Sequence, residues 1–425
     1  MVKIDGKMKR VLIVSPYFPP SALPPAQRAR LLVKNLAKQN YYPTVITVEQ
    51  KYREGITDEW LTTLTGNDYK LINLKAIPYQ ITRKFKFGDL GLRVLPYLFF
   101  NLLKTIRREK PDIVLYLVPS WYVLVISPVI KAITKTPYII DFIDPWVSSG
   151  IDSSRTIKHK ISQKIAVFFE KRAVLHAAGI IAVSEGINNK IINRYPKAKN
   201  KFFKAVPYGV EADDFKIVQR SNEAKDKIKK VRYIGAVWND ALPVLGALLN
   251  AFTQSGEKLM LEFYGTSYAP KELSTPQLTP FMEKNPKLKD ILKENHLRVP
   301  YRKAVELTVS SDWLILFGGM EPYYAASKLF GLIASQVPFL AFLHQDSFPA
   351  QFLSTLNYPY LVTYSHSKTP DKCIGELIEK IKILNSNQEK QILALNHPAI
   401  KNHSAENMTK EFVSLFNKCI AQNNG

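Results

Sequence analysis

SKLFGLIASQVPFLAF, residues 327–342, decides the fold of this chain. A serine opens the segment, and Leu329, Leu332 and Ile333 follow at the i, i+3, i+4 spacing of one helical face. Pro338 stops the helix, because its ring clashes with the preceding turn and it brings no N–H. The residues after it, FLAF, are apolar on both faces, as a buried parallel strand requires. A capped helix feeding such a strand, with Lys328 on its first turn, offers free backbone N–H groups and a cation to an anionic ligand. Gly331 is the oddity of the segment, since glycine inside a helix costs about 1 kcal/mol relative to alanine. Its expected reason is room for backbone or ligand.

The same alternation of strand and helix runs outward in both directions. RVLIVS (10–15), TVITV (44–48), DIVLYLV (112–118), YIIDF (138–142) and GIIAVS (179–184) read as strands separated by helix-sized intervals. A Pro-rich turn, YFPPSALPP, leads from the first strand into a helix over about 25–39. Residues 211–230, polar and charged, read as a linker. A second series then begins with VRYIGAV (231–237), KLMLEFYG (258–265), DWLILFGG (312–319), PFLAF (338–342) and PYLVTY (359–364). The pattern predicts two open, doubly wound α/β domains, 1–210 and 231–403, with a last helix from about 404 to 425 that packs back on the first. Ligands of such sheets bind outside the carboxyl ends of the strands.

The 425 residues exceed one hydrophobic core and suit two. Cys373 and Cys419 form no metal or redox pattern, and so few cysteines fit a reducing compartment. The apolar run at the N-terminus, VLIV, is far shorter than the core of an export signal. Residues 113–130 are apolar but broken by Pro119, Ser120 and Pro128, which predicts strand, loop and helix rather than a membrane span. Charge is lopsided: residues 1–210 hold 34 Lys and Arg against 14 Asp and Glu, whereas the remainder holds 25 against 22. The first half therefore asks for an anionic partner. No helix-turn-helix, zinc or RNA-binding pattern appears, so nucleic acid is not expected.

Several stretches in fixed order resemble one group of enzymes. These are YFPP…QR (17–28), DFIDPW (141–146), IIAVSEGI (180–187), VPYGVEADDF (206–215), FYGT (263–266) and SKLFGLIASQVPFLA (327–341). Together they resemble retaining glycosyltransferases of the GT-B fold, the family-4-like set, in a divergent variant similar to bacterial enzymes of surface-polysaccharide synthesis. The resemblance covers most of the chain. It implies two Rossmann-like domains facing each other across a cleft, a nucleotide-sugar donor (UDP- or GDP-sugar) in the C-terminal domain, and a lipid-linked or glycan acceptor in the N-terminal one. No metal or other cofactor is implied.

The resemblance also implies roles for single residues. The family pattern near 327 resembles S-K-L-x-E-x-L-A-x-G-x-P, whose acidic residue usually holds the donor ribose. Ser327 and Lys328 match it, Gly331 stands in place of the glutamate, and the usual glycine falls at Ser335 or Gln336. Glu321 lies two positions from the family's upstream glutamate. Lys328 is the expected diphosphate cation and main catalytic group, its bland alternative being a solvated lysine. Gly235, Tyr264 and Gly265 end strands on the donor side, and Tyr301 ends another, placed to stack on a base. The basic residue common in the loop after Gly235 is replaced by Asn239 and Asp240. On the acceptor side Ser21, Arg28 and Asp141 are expected at phosphate or acceptor. Asp144 is expected to orient an acceptor hydroxyl or take its proton, work a carboxylate does at hydrogen-bond range. Asp144-Pro145 reads equally as a structural turn capped by Asp141.

RKFKFGDLGLRVLPYLFFNLLKTIRREK (83–110) sets cations around Phe85, Phe87, Leu95, Leu98, Phe99 and Phe100, the composition of an interfacial helix at an anionic membrane. The expectation is a cytoplasmic enzyme, peripheral at the inner face of the cell membrane. Two other readings stand beside it: a degenerate, non-catalytic GT-B scaffold that binds a nucleotide sugar, and an epimerase on the same fold.

Overall fold

The computed structural model describes residues 8–84, 88–147, 157–217, 228–267, 269, 273–322, 328–386 and 388–424. The chain forms two compact units, Met1–Gly209 with Ala405–Gly425, and Val210–Ser404.

The first unit is built on a seven-stranded sheet. Its strands are β1 (Lys9–Val14), β2 (Tyr41–Val48), β3 (Lys70–Leu74), β4 (Ile113–Val118), β5 (Tyr138–Phe142), β6 (Gly179–Ala182) and β7 (Phe202–Ala205), in the order β3-β2-β1-β4-β5-β6-β7. Every pairing is parallel; Val14, for example, lies opposite Ile46 on one side and Tyr116 on the other. Parallel neighbours need crossovers, and helices supply them. The main ones are α1 (Pro24–Leu36), α2 (Leu90–Glu109), α3 (Ser127–Thr134) and α4 (Ile157–His176). Asp89 starts α2 by accepting the N–H of Leu92 at 3.0 Å, a side-chain N-cap. Residues 113–130 are β4, a 3-10 turn and the start of α3, and among the described residues no helix is long and apolar enough to cross a membrane.

The second unit carries β8 (Lys229–Ile234), β9 (Leu259–Tyr264), β10 (Leu292–Asn295), β11 (Trp313–Phe317), β12 (Phe339–His344) and β13 (Leu361–Tyr364), again all parallel, in the order β10-β9-β8-β11-β12-β13. Its helices include α5 (Leu242–Ser255), α6 (Tyr301–Val309) and α7 (Leu329–Ala334). The central strands β11 and β12 are buried on both faces, and Trp313, Leu316 and Phe342 lie in one core with Leu248 and Phe252 of α5.

The last helix, α8 (Ala405–Asn424), packs on α1 of the first unit. The stretch read as a linker over 211–230 is corrected at its start. Residues 213–216 form a helical turn, and Asp214 accepts the Tyr301 hydroxyl at 3.1 Å, which fastens this turn within the second unit. Residues 218–227 lie outside the described residues.

Candidate functional site

In the second unit the strand order reverses between β8 and β11, the place where open α/β sheets bind ligands. Gly235 follows β8 at φ +151°, and its N–H donates to the Tyr264 carbonyl at 2.7 Å. A Cβ on Gly235 would lie 1.6 Å from the ammonium nitrogen of Lys328 and 2.5 Å from its Cε, so only glycine leaves room for that lysine. Lys328 Nζ donates to the Tyr233 hydroxyl at 3.0 Å and sits 4.2 Å from the centre of the Tyr233 ring. Tyr233 in turn donates to the carbonyl of Ala236 at 2.8 Å. Burial of the ammonium, with Arg298 adding like charge, pulls the Lys328 pKa down to about 7. The residue keeps part of its surface open while the ammonium end is turned inward. Lys328 is therefore not a solvated surface lysine.

The neighbouring strand end repeats the device with opposite charge. A Cβ on Gly319 would lie 2.1 Å from Oδ2 of Asp240 and 3.1 Å from the Trp238 indole nitrogen. Asp240 also accepts the N–H of Glu321 at 3.3 Å, and Trp238 stacks on Phe317. Two glycines at adjacent strand ends are thus each occupied by a side chain from another segment, one cationic and one anionic. Tyr233, Gly319 and Arg298 were missed in the sequence; the signal for Tyr233 was its position two residues before Gly235 on a strand.

The other donor-side expectations fare unevenly. Lys328 does not lie in the first turn of the helix: α7 has six residues and Lys328 is its N-cap. Ser327 lies outside the described residues. The N–H groups of Gly235 and Val237 are spent on Tyr264 and Thr266, so the ammonium rather than this loop is what an anion would meet. Tyr264 contributes that carbonyl, while its hydroxyl donates to Glu262 at 3.4 Å, beside the ion pair of Glu262 with Arg232. Gly265 takes φ +73° against Arg298. Tyr301 does not end a strand: it is the first residue of α6 and its hydroxyl goes to Asp214. Glu321 is exposed. Gln336 holds φ +54°, the conformation that explains a glycine in the family pattern, and its side-chain amide donates to the carbonyls of Ile333 and Leu393, both at 2.9 Å. Gly331 needs no special room, since a Cβ there would meet only the Phe215 ring at 3.5 Å.

The first unit changes most of the acceptor-side expectations. Arg28 and Asp141 are fully buried and form a bidentate ion pair at 2.6 and 2.9 Å. Arg28 also donates to the carbonyls of Val206 (2.8 Å) and Pro207 (3.3 Å), and its guanidinium lies 5.0 Å from the Phe412 ring of α8. Burial raises the Asp141 carboxyl above its ordinary pKa, and Arg28 pulls against that shift. Arg28 is thus a tie between α1, β5, the 206–207 segment and α8, and neither partner is open to a ligand. Ser21 is also interior: its N–H donates to the Phe18 carbonyl and its hydroxyl accepts the N–H of Leu23. Asp144, two residues beyond β5, stays open to solvent, with its carboxyl pushed above the usual range by surrounding protein. At the β1–β4 reversal the structure adds Asp89, whose pKa burial raises to about 6. A Cβ on Gly91 would lie 2.8 Å both from the Asp89 carboxylate and from the Ser120 carbonyl after β4, which places Asp89 at that edge.

Residues 26–214 match the model of Glycosyltransferase Family 4. The chain is a glycosyltransferase, and this stretch of it is similar to family 4. Its solved structural relatives share the GT-B architecture of two parallel-sheet units. Anabaena HepE in complex with UDP-glucose has a TM-score of 0.59 at 12% identity, over 96% of this chain and 99% of that one. The lipopolysaccharide outer core galactosyltransferase WaaB has a TM-score of 0.55 at 13% identity, over 97% and 99%. A putative UDP-N-acetylglucosamine 2-epimerase from Listeria monocytogenes has a TM-score of 0.54 at 9% identity, over 98% of both chains. At these identities the likeness is one of fold, and the family match is what separates this glycosyltransferase from an epimerase. No curated protein matches the sequence significantly. Among the described residues of the enzyme, no group of three or more His, Cys, Asp or Glu could hold a metal ion.

Proposed function

We propose that this glycosyltransferase moves a sugar, with retention of configuration, from a nucleoside-diphosphate sugar to a lipid-linked or oligosaccharide acceptor at the inner face of the cell membrane. The observation that carries the donor half is the Lys328 ammonium, seated over Gly235 where the strand order reverses. Charge accumulates on the diphosphate as the glycosidic bond breaks, and a fixed cation in a dehydrated setting stabilises that charge more than water does. Burial lowers the Lys328 pKa to about 7, and a diphosphate in contact would favour its charged form. Gly235 is part of the device, because it alone lets the ammonium reach this depth. Asp144 supplies the carboxylate that orients an acceptor hydroxyl in the N-terminal unit. The bacterial cytoplasmic setting and retention are drawn from the family resemblance, and the membrane-side acceptor from the +20 charge of residues 1–210.

Two observations favour a second reading. Gly331 replaces the ribose-binding glutamate, and Asp240 stands where related loops carry a cation; both weaken a donor site and suit a scaffold that binds without turnover. Calorimetry with UDP, GDP and their sugars on the wild type and Lys328→Ala, followed by donor hydrolysis assays, separates the readings. Tight binding lost in the variant supports the site, and hydrolysis supports an enzyme. Absence of binding to every nucleotide sugar would sink the proposal.

A further inference from the structure

Helices α2, α3 and α4 lie side by side on the sheet of the first unit, α3 between the other two, and their inward residues Leu98, Ile130 and Ala166 join one core. Their outward residues are unusual. Phe100 of α2 is 71% exposed and Phe168 of α4 is 54% exposed. Val129 and Ile133 of α3 are exposed between them, and Ile161 and Ile165 continue the Phe168 stripe along α4 at i, i+4, i+7 spacing. In the second unit the exposed apolar side chains, such as Ile217, Leu273 and Ile383, sit singly on separate elements. Scattered residues are ordinary, whereas a face shared by three helices marks an interaction surface.

Charge identifies the occupant. Lys104, Arg107 and Arg108 are exposed at the end of α2, and Lys164, Lys171 and Arg172 along α4. The two carboxylates that these three helices contain are both engaged: Glu109 with Lys70 and Arg108, and Glu170 with Arg194. The face is therefore apolar at its centre and cationic around it, and among the described residues its three helices leave no free carboxylate. A second copy would set one row of cations against another, which is repulsive. An anionic bilayer satisfies both features, with lipid phosphates for the cations and the acyl boundary for the rings.

We propose that the outward face of α2, α3 and α4 docks on an anionic lipid bilayer, with Phe100, Phe168 and the aliphatic residues between them seated at headgroup depth. This deepens the membrane reading of the previous section and names the surface that performs it. α3 and α4 follow β4 and β5 in the chain, so the docked face adjoins the strand edge that carries Asp144, and a lipid-anchored acceptor would arrive at that edge.

The test is sedimentation of the full-length protein with phosphatidylcholine vesicles, with and without phosphatidylglycerol, at low and raised salt. Binding should require the anionic lipid and weaken with salt. The double variant Phe100→Ser/Phe168→Ser should partition about tenfold or more weaker, with an unchanged thermal midpoint, and Ile161→Ser/Ile165→Ser should act in the same direction. The inference is overturned if the wild type ignores anionic vesicles, if the variants bind as well as the wild type, or if the wild type is a dimer that these substitutions dissociate. Activity on a water-soluble acceptor keeps the two proposals apart. Variants that lose vesicles but keep soluble transfer support both; a wild type that docks but transfers to nothing removes the function and leaves the surface.

Discussion

A nucleoside diphosphate that binds beside Lys328 will take up a proton as it does so. The empty site holds this lysine near pKa 7, because its ammonium is dehydrated against Gly235 and Tyr233 and faces the charge of Arg298. At pH 8 roughly one lysine in eleven is charged; a diphosphate in contact restores the charged form, since an opposite charge within a few ångströms raises a lysine's pKa. The sign follows: the value is depressed before binding and raised after it, so protons are taken up at every pH between the two. Affinity then tracks the charged fraction of the empty protein, and should fall about fivefold from pH 7 to pH 8 and about ninefold from pH 8 to pH 9, close to 1.4 kcal/mol per unit at the upper end. Calorimetry with UDP in buffers of different ionisation enthalpy reads the protons directly, and about 0.9 per site is expected at pH 8. Lys328→Ala should remove both the proton uptake and the pH dependence, along with most of the affinity. A wild type whose affinity is flat from pH 7 to 9 with no proton exchange would refute the assignment.

Other residues separate in the same way. Gly235→Ala puts a Cβ onto the Lys328 ammonium at an unfavourable φ, so it should cost about 1–3 kcal/mol of stability and give the binding behaviour of Lys328→Ala; retained proton uptake would contradict the geometry. Arg28→Ala leaves Asp141 buried and uncompensated, at a cost of about 3–5 kcal/mol, read as a lowered denaturation midpoint; a change confined to acceptor KM would restore Arg28 to the site. Asp144→Asn should lower kcat by roughly 10²–10⁴-fold with an unaltered melting temperature, and normal turnover would reduce the residue to a turn. Gly331→Ala should stabilise by about 0.5–1 kcal/mol with activity preserved, because the new methyl meets only the Phe215 ring; a loss of stability would show that the glycine is needed.

The parallel core of both units was legible because strands buried on both faces read as unbroken apolar runs. The strands that the sequence did not reveal are β3, β7 and β10, with sequences KLINL, FFKA and LKEN. All three lie at sheet edges. An edge strand has one neighbour and partial burial, so lysine, asparagine and glutamate are tolerated and the apolar signature disappears; β4, in the middle, is IVLYLV and buried throughout. The helix read over 83–110 is resolved in the same terms. It runs over 90–109, with Leu98 in the core, Phe99 half-buried and Phe100 in solvent, while Phe85 and Phe87 lie outside the described residues. Periodicity alone cannot say which of two adjacent phenylalanines faces out when the helix start is uncertain by a residue or two.

Charged residues defeat sequence reading for a different reason. Arg28 and Lys328 both match positions of the family pattern, and by residue type both are candidate phosphate ligands. What separates them is how much of their hydrogen-bonding capacity the protein already uses. Arg28 spends its donors on two carboxylate oxygens and two carbonyls, so a ligand would have to break bonds inside a sealed core. The Lys328 ammonium has three donors and, among the described residues, makes one hydrogen bond, to a tyrosine hydroxyl that is itself committed to a carbonyl. Two donors on a dehydrated cation are costly to leave unpaired. A structure that holds this charge at depth, and keeps a glycine beside it to do so, favours an anion there. That difference, more than the motif, is why we propose Lys328 as the functional cation, while Arg28 serves as scaffold.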